Sequence, residues 1–113
     1  MQTFMAINVS TRAERNAITA QVKEALLASG GWVVDFRHFS NLSLCINFEI
    51  EPQHVGQLGE ALTALDIRIA DASREHLASL RERPGAGDVR GTLQITFIHD
   101  EPDLRREVPP IPG

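Results

Sequence analysis

The chain's candidates for chemistry are four histidines, one cysteine and a scatter of carboxylates. Their spacing decides what they could do. His38, His54, His76 and His99 never stand three or four residues apart, and the sequence holds neither an HExxH pattern nor paired cysteines. The sequence therefore encodes no recognisable zinc site. Cys45 falls inside an alternating stretch with no histidine partner in view, and no G-x-S-x-G elbow occurs, so nucleophilic catalysis lacks support. Glu49 and Glu51 share one phase of a strand and could form an acid–base pair, although carboxylates at a strand end more often face solvent. Gly85-Ala86-Gly87 lacks the strand before and helix after that define a phosphate loop, and reads as a connection.

Two places remain. In WVVDFRHFSNLSLCINFEIE, residues 32 to 51, His38 ends the inward phase of its strand and caps the rim of a core, while Arg37 projects to the opposite face. At the junction Asn8-Val9-Ser10-Thr11-Arg12 a strand gives way to a helix. First-turn amides of a helix can hold a carboxylate or another anion, and Arg12 adds a charge. Asn8, Ser10, Thr11 and Arg12 are thus the candidate ligand-binding residues. The competing reading is that Ser10 and Thr11 only cap the helix.

The elements that would position these residues follow from periodicity. Gln2–Val9 alternates, with Met5, Ile7 and Val9 in one phase, and predicts a strand. Thr11 and Glu14 fit a capping box. Ile18, Val22, Ala25, Leu26 and Ser29 trace a helical stripe that Gly30-Gly31 ends. Leu42, Leu44, Ile46, Phe48 and Ile50 alternate with polar residues, predicting a half-buried antiparallel strand. Its partner carries Trp32, Val34, Phe36 and His38 in the inward phase. Matching the apolar phases predicts an odd-length loop, with His38 opposite Leu42 and Phe36 opposite Leu44.

Glu51-Pro52 opens a second helix with Val55, Leu58, Leu62 and Leu65 inward. Gly56 and Gly59 would weaken it by ~1 kcal/mol each, so the sequence predicts close packing against the sheet there. A short strand at Asp66–Ala70, a short helix at Ser73–Arg83 with Leu77 and Leu80 inward, and a strand at Thr92–His99 complete the domain. The expected domain spans 1–100, and the charged, proline-rich segment 101–113 is expected to be an extended or disordered tail.

A length of 113 residues with 42% hydrophobic and 23% charged residues fits one soluble domain with its own core. The net charge of −4 argues against a broad surface for nucleic acid or anionic lipid. A local cluster of Arg81, Arg83 and Arg90 reads as solvated. A single cysteine cannot form an internal disulfide. Without a basic start leading into an apolar segment, or an apolar run near the ~20 residues of a membrane span, the expected location is cytoplasmic.

The order β-α-β-β-α-β, then a helix and a strand, predicts an α+β, ferredoxin-like fold: an antiparallel sheet with two helices on one face, a short third helix and an extra C-terminal strand. The other face would carry Phe4, Ala6 and Asn8, Val33, Asp35 and Arg37, and Ser43, Cys45 and Asn47. Its mixed character suits coverage by a second subunit, hence an expected homodimer through the sheet.

Val33-Val34-Asp35-Phe36, Leu42-Ser43-Leu44, Phe48-Glu49-Ile50 and Pro52, in that order, resemble the ACT domain family, and within it the ACT-like N-terminal region of bacterial phosphoserine phosphatases. The likeness covers residues 2 to 100. It implies a non-enzymatic regulatory module that binds an amino acid or other small carboxylate at a subunit interface, without a cofactor. An interaction or dimerisation domain with no ligand is the alternative. The chain departs from that family in having no acidic–Pro–Gly turn at residues 8 to 13, a shorter hairpin, and no Asp-x-Asp phosphatase segment.

Overall fold

The computed structural model describes residues 3–40, 42–82 and 87–98. In chain order these form β1 (Thr3–Thr11), α1 (Arg15–Ala28), β2 (Trp32–Ser40), β3 (Ser43–Ile50), a 3₁₀ turn (Pro52–His54), α2 (Val55–Thr63), β4 (Arg68–Ile69), α3 (Asp71–Glu82) and β5 (Val89–Phe97). The fold is α+β, with five strands in one sheet and three helices among the described residues. His99, most of the connection after α3, and the segment 101–113 expected to be a tail lie outside the described residues.

Alternation places most of the expected residues inward, with two differences: Leu42 is exposed and precedes β3, and β5 begins at Val89, three residues before the expected start. Met5, Ile7 and Val9 of β1, Leu44, Ile46, Phe48 and Ile50 of β3, and Val89, Leu93, Ile95 and Phe97 of β5 are buried in one core. Against them pack Ile18, Val22, Ala25 and Leu26 of α1, Val55, Leu58 and Leu62 of α2, and Leu77 of α3, so all three helices cover the same face. Helix α1 stops as expected. Gly30 takes φ +91°, its N–H donates to Leu27 O, and the Gly31 N–H donates to Leu26 O, which together make a Schellman cap.

The sheet is mixed rather than antiparallel, in the order β2-β3-β5-β1-β4. The last strand lies at the centre, antiparallel to β3 and parallel to β1 along its whole length. The reason lies in α3. Ala70 donates to Asn8 O near the end of β1, and the twelve residues of α3 then carry the chain ~18 Å back towards Thr3, where β5 begins opposite it. A strand starting there must run in the direction of β1. Consequently β1 and β2 run the same way with β5 and β3 between them, a βαβ unit split by two strands.

The hairpin also departs from expectation. His38 lies opposite Leu44 and Phe36 opposite Ile46, a two-residue shift that keeps the faces. Near the start of β2 the register slips between Val33 and Asp35. This bulge puts Val33 opposite Phe48 and packs it on the core, whereas Trp32 lies opposite Glu49 on the uncovered face. Trp32 and Val34, expected inward, are both exposed. An extra residue in an edge strand exchanges the faces of everything before it.

Gly59 corrects a further expectation, since a Cβ added there would meet nothing within 4 Å. Together with Gly56 it borders an open apolar groove between α2 and α3, instead of a close contact with the sheet. Among the described residues no helix is long and apolar enough to cross a membrane.

Candidate functional site at the end of the first strand

The capping box expected of Thr11 and Glu14 does not form. Strand β1 continues to Thr11, whose buried hydroxyl donates to the distant Asp66 O at 2.7 Å and accepts from the local Ala13 N–H at 3.0 Å. Helix α1 starts later, with Glu14 as its cap. The two carboxylate oxygens of Glu14 accept from the Asn16 and Ala17 amides at 2.9 Å each. Those charge-assisted bonds hold the Glu14 carboxyl below its usual pKa. The first-turn amides that a bound anion would use are thereby occupied by the chain's own carboxylate.

The other candidate residues divide between two adjoining grooves. Ser10, Thr11 and Arg12 line one of about 330 Å³ together with Asp66, Ile67, Arg68 and Ile98. Asn8 and Ser10 line a second with Arg68, Ala70 and Thr96. The backbone of Asn8 is committed to α3, its N–H donating to the buried Ser73 Oγ at 2.9 Å and its carbonyl accepting from Ala70. Asp66 and Arg68 are additions that the sequence did not point to. They reach the site because β4 pairs with the end of β1 at Val9 and Ser10, a contact between segments almost sixty residues apart. The first groove is therefore lined by Arg12, Arg68 and Asp66, residues that carry two guanidiniums and one carboxylate, with Ser10 beside them.

The uncovered face is a grid fixed by the strand registers. From β2 towards β1 its rows are Trp32–Glu49–Arg90–Phe4, then Asp35–Asn47–Thr92–Ala6, then Arg37–Cys45–Gln94–Asn8. The first row holds exposed aromatics flanking an ion pair, Arg90 Nη2 to Glu49 Oε2 at 2.9 Å. In the second, Asn47 Nδ2 donates to Asp35 at 2.5 Å. Cys45 is only 8% exposed, and burial pushes its thiol pKa up, reinforced by Asp35 and opposed by Arg37.

The remaining candidates disperse. His38 is exposed on the helix-bearing face, with Nδ1 2.8 Å from Nη2 of Arg15. A guanidinium only donates, so this contact makes Nδ1 the acceptor. Arg15 also stands over the Phe97 ring, 5.1 Å from its centre. Glu49 is paired with Arg90, whereas Glu51 lies past the end of β3, 3.7 Å from His54 Nδ1. The two carboxylates thus have separate partners. Among the described residues no cluster of three or more His, Cys, Asp or Glu could hold a metal ion.

Comparison with family models, curated proteins and solved structures yields no match.

Proposed function

We propose that this chain is a non-enzymatic, ACT-like regulatory module that associates with a second copy through its sheet and takes a small carboxylate, such as an amino acid, near the end of β1. The observation that carries the reading is the charge set of the groove there. Arg12 and Arg68 suit a carboxylate, Asp66 suits an ammonium, and Ser10 adds a hydroxyl at the rim. Three helices on one face of the sheet and a split βαβ crossover support the likeness to the ferredoxin-like plan, with β5 as an inserted central strand. The dispersal of His38, Cys45, Glu49 and Glu51 supports a role without catalysis. Regulation in such a module is a difference in ligand affinity between two assembly states.

A second reading, an interaction domain with no small ligand, is favoured by one feature. Glu14 already fills the first-turn amides of α1.

A thermal-shift screen with the twenty amino acids separates the two. A ligand at one hundred times its dissociation constant should stabilise the fold by ~2.7 kcal/mol. Arg12→Ala or Arg68→Ala should remove that shift, and a shift that survives both substitutions would place the ligand elsewhere. A dimer that responds to none of the twenty is the interaction domain, and a monomer without a response ends both readings.

A further inference from the structure

Strand β2 is an edge of the sheet whose outer row of backbone groups faces away from β3; register shifts between Val33 and Asp35 and between His38 and Ser40 leave Asp35–His38 as its regular run. We propose that this edge is an interface with a second copy of the chain, paired antiparallel about Phe36 so that Asp35 of each copy meets Arg37 of the other. The proposal rests on the assembly through the sheet put forward above, and adds its surface and register.

Charge selects the register. Within the run Asp35–His38, where β2 has no register shift, a two-fold antiparallel pairing sets a residue opposite one of its own face only if the paired numbers sum to an even value. Centring the pairing on residue 35 would set Asp35 against Asp35, and centring it on residue 37 would set Arg37 against Arg37. Centring it on Phe36 instead creates two Asp35–Arg37 pairs. Both side chains belong to the uncovered face, opposite Asn47 and Cys45, so they lie in the same layer. Arg37 makes no ion pair among the described residues, and Asp35 accepts only from Asn47. On the other face the same register brings Phe36 against Phe36 of the second copy. That ring is 38% exposed, with Lys23 Nζ 5.6 Å from its centre, and an aromatic cross-strand pair is favourable. The two five-stranded sheets would join into one continuous sheet, covering an exposed edge of each.

The test is sedimentation equilibrium of the full chain as wild type, Asp35→Arg, Arg37→Asp and the double exchange, with thermal melts to confirm folding. Each single reversal places two like-charged pairs across the axis and should weaken the dimer by roughly tenfold or more. The double exchange should recover the wild-type constant. An equimolar mixture of the two single variants should form mixed dimers, since each supplies the charges the other lacks. A monomeric wild type overturns both the register and the assembly. A dimer indifferent to the single reversals overturns the register alone, as does weakening that neither the double exchange nor the mixture repairs.

Discussion

Cys45 sits in the middle of the uncovered face, yet its neighbours Arg37, Asn47 and Gln94 leave little of it open to water. Burial raises its pKa, so less thiolate is present at a given pH than for an ordinary cysteine. The native protein should react with a disulfide reagent more slowly than the urea-unfolded chain, and equal rates would show that the thiol is accessible. Glu14 behaves in the opposite sense. Its pKa is lowered by the Asn16 and Ala17 amides, so the cap's contribution is present above the ordinary carboxyl range and is lost as pH falls through the lowered value. Titration of its side-chain carbon by NMR should give a midpoint below that of an unperturbed glutamate, and Glu14→Gln should flatten this part of the acid dependence of stability. Gly91 has a steric reason to be glycine, since a Cβ there would run into the buried ring of Phe48, its cross-strand neighbour. Gly91→Ala should cost ~1–3 kcal/mol in urea denaturation through overpacking. The cost should shrink in a Phe48→Leu background, and an equal cost in both would rule out that contact.

Helix α1 was legible in detail, including its buried stripe and its stop, because a 3.6-residue period and a left-handed glycine are local properties. Gly30→Ala should cost ~1–2 kcal/mol from the left-handed backbone alone. The added Cβ would also lie 2.7 Å from His54 Nδ1, so His54→Ala should relieve part of the loss, as a thermal melt can measure. The start of the helix was misread for a reason of scale. Thr11 and Glu14 have capping-box spacing, but the Thr11 hydroxyl is drawn into the turn before β4 by Asp66 O, and β1 pairs with β5 as far as Thr11. The β2 bulge was equally hidden, since alternation in sequence does not reveal where one residue is skipped. Its effect is large, moving Trp32 and Val34 from the expected core to the surface.

For the whole molecule, one face carries the helices and the core, while the other is a polar grid with an aromatic row at one end. Residues of the grid come from four strands, so no window of sequence contains it. If copies pair through β2, the outward amides of that strand should gain protection from hydrogen exchange as protein concentration rises. Amides of β5, already paired on both sides, should show no such change. Protection of β2 independent of concentration would mean that the edge is covered from within the chain.

The sequence by itself determined the α+β class, the inward residues of β1 and the helices, those of β3 from Leu44 and of β5 from Leu93, and the stop of α1, because each depends on side-chain period or on the backbone freedom of one glycine. Only the tertiary structure decided that β5 enters the centre of the sheet, that its direction matches β1, and that Asp66 and Arg68 join Ser10, Thr11 and Arg12 around one groove. The first two outcomes follow from the length of α3 and the hydrogen bond made where it begins, the third from the pairing of β4 with the end of β1, and each brings together segments that no local pattern relates.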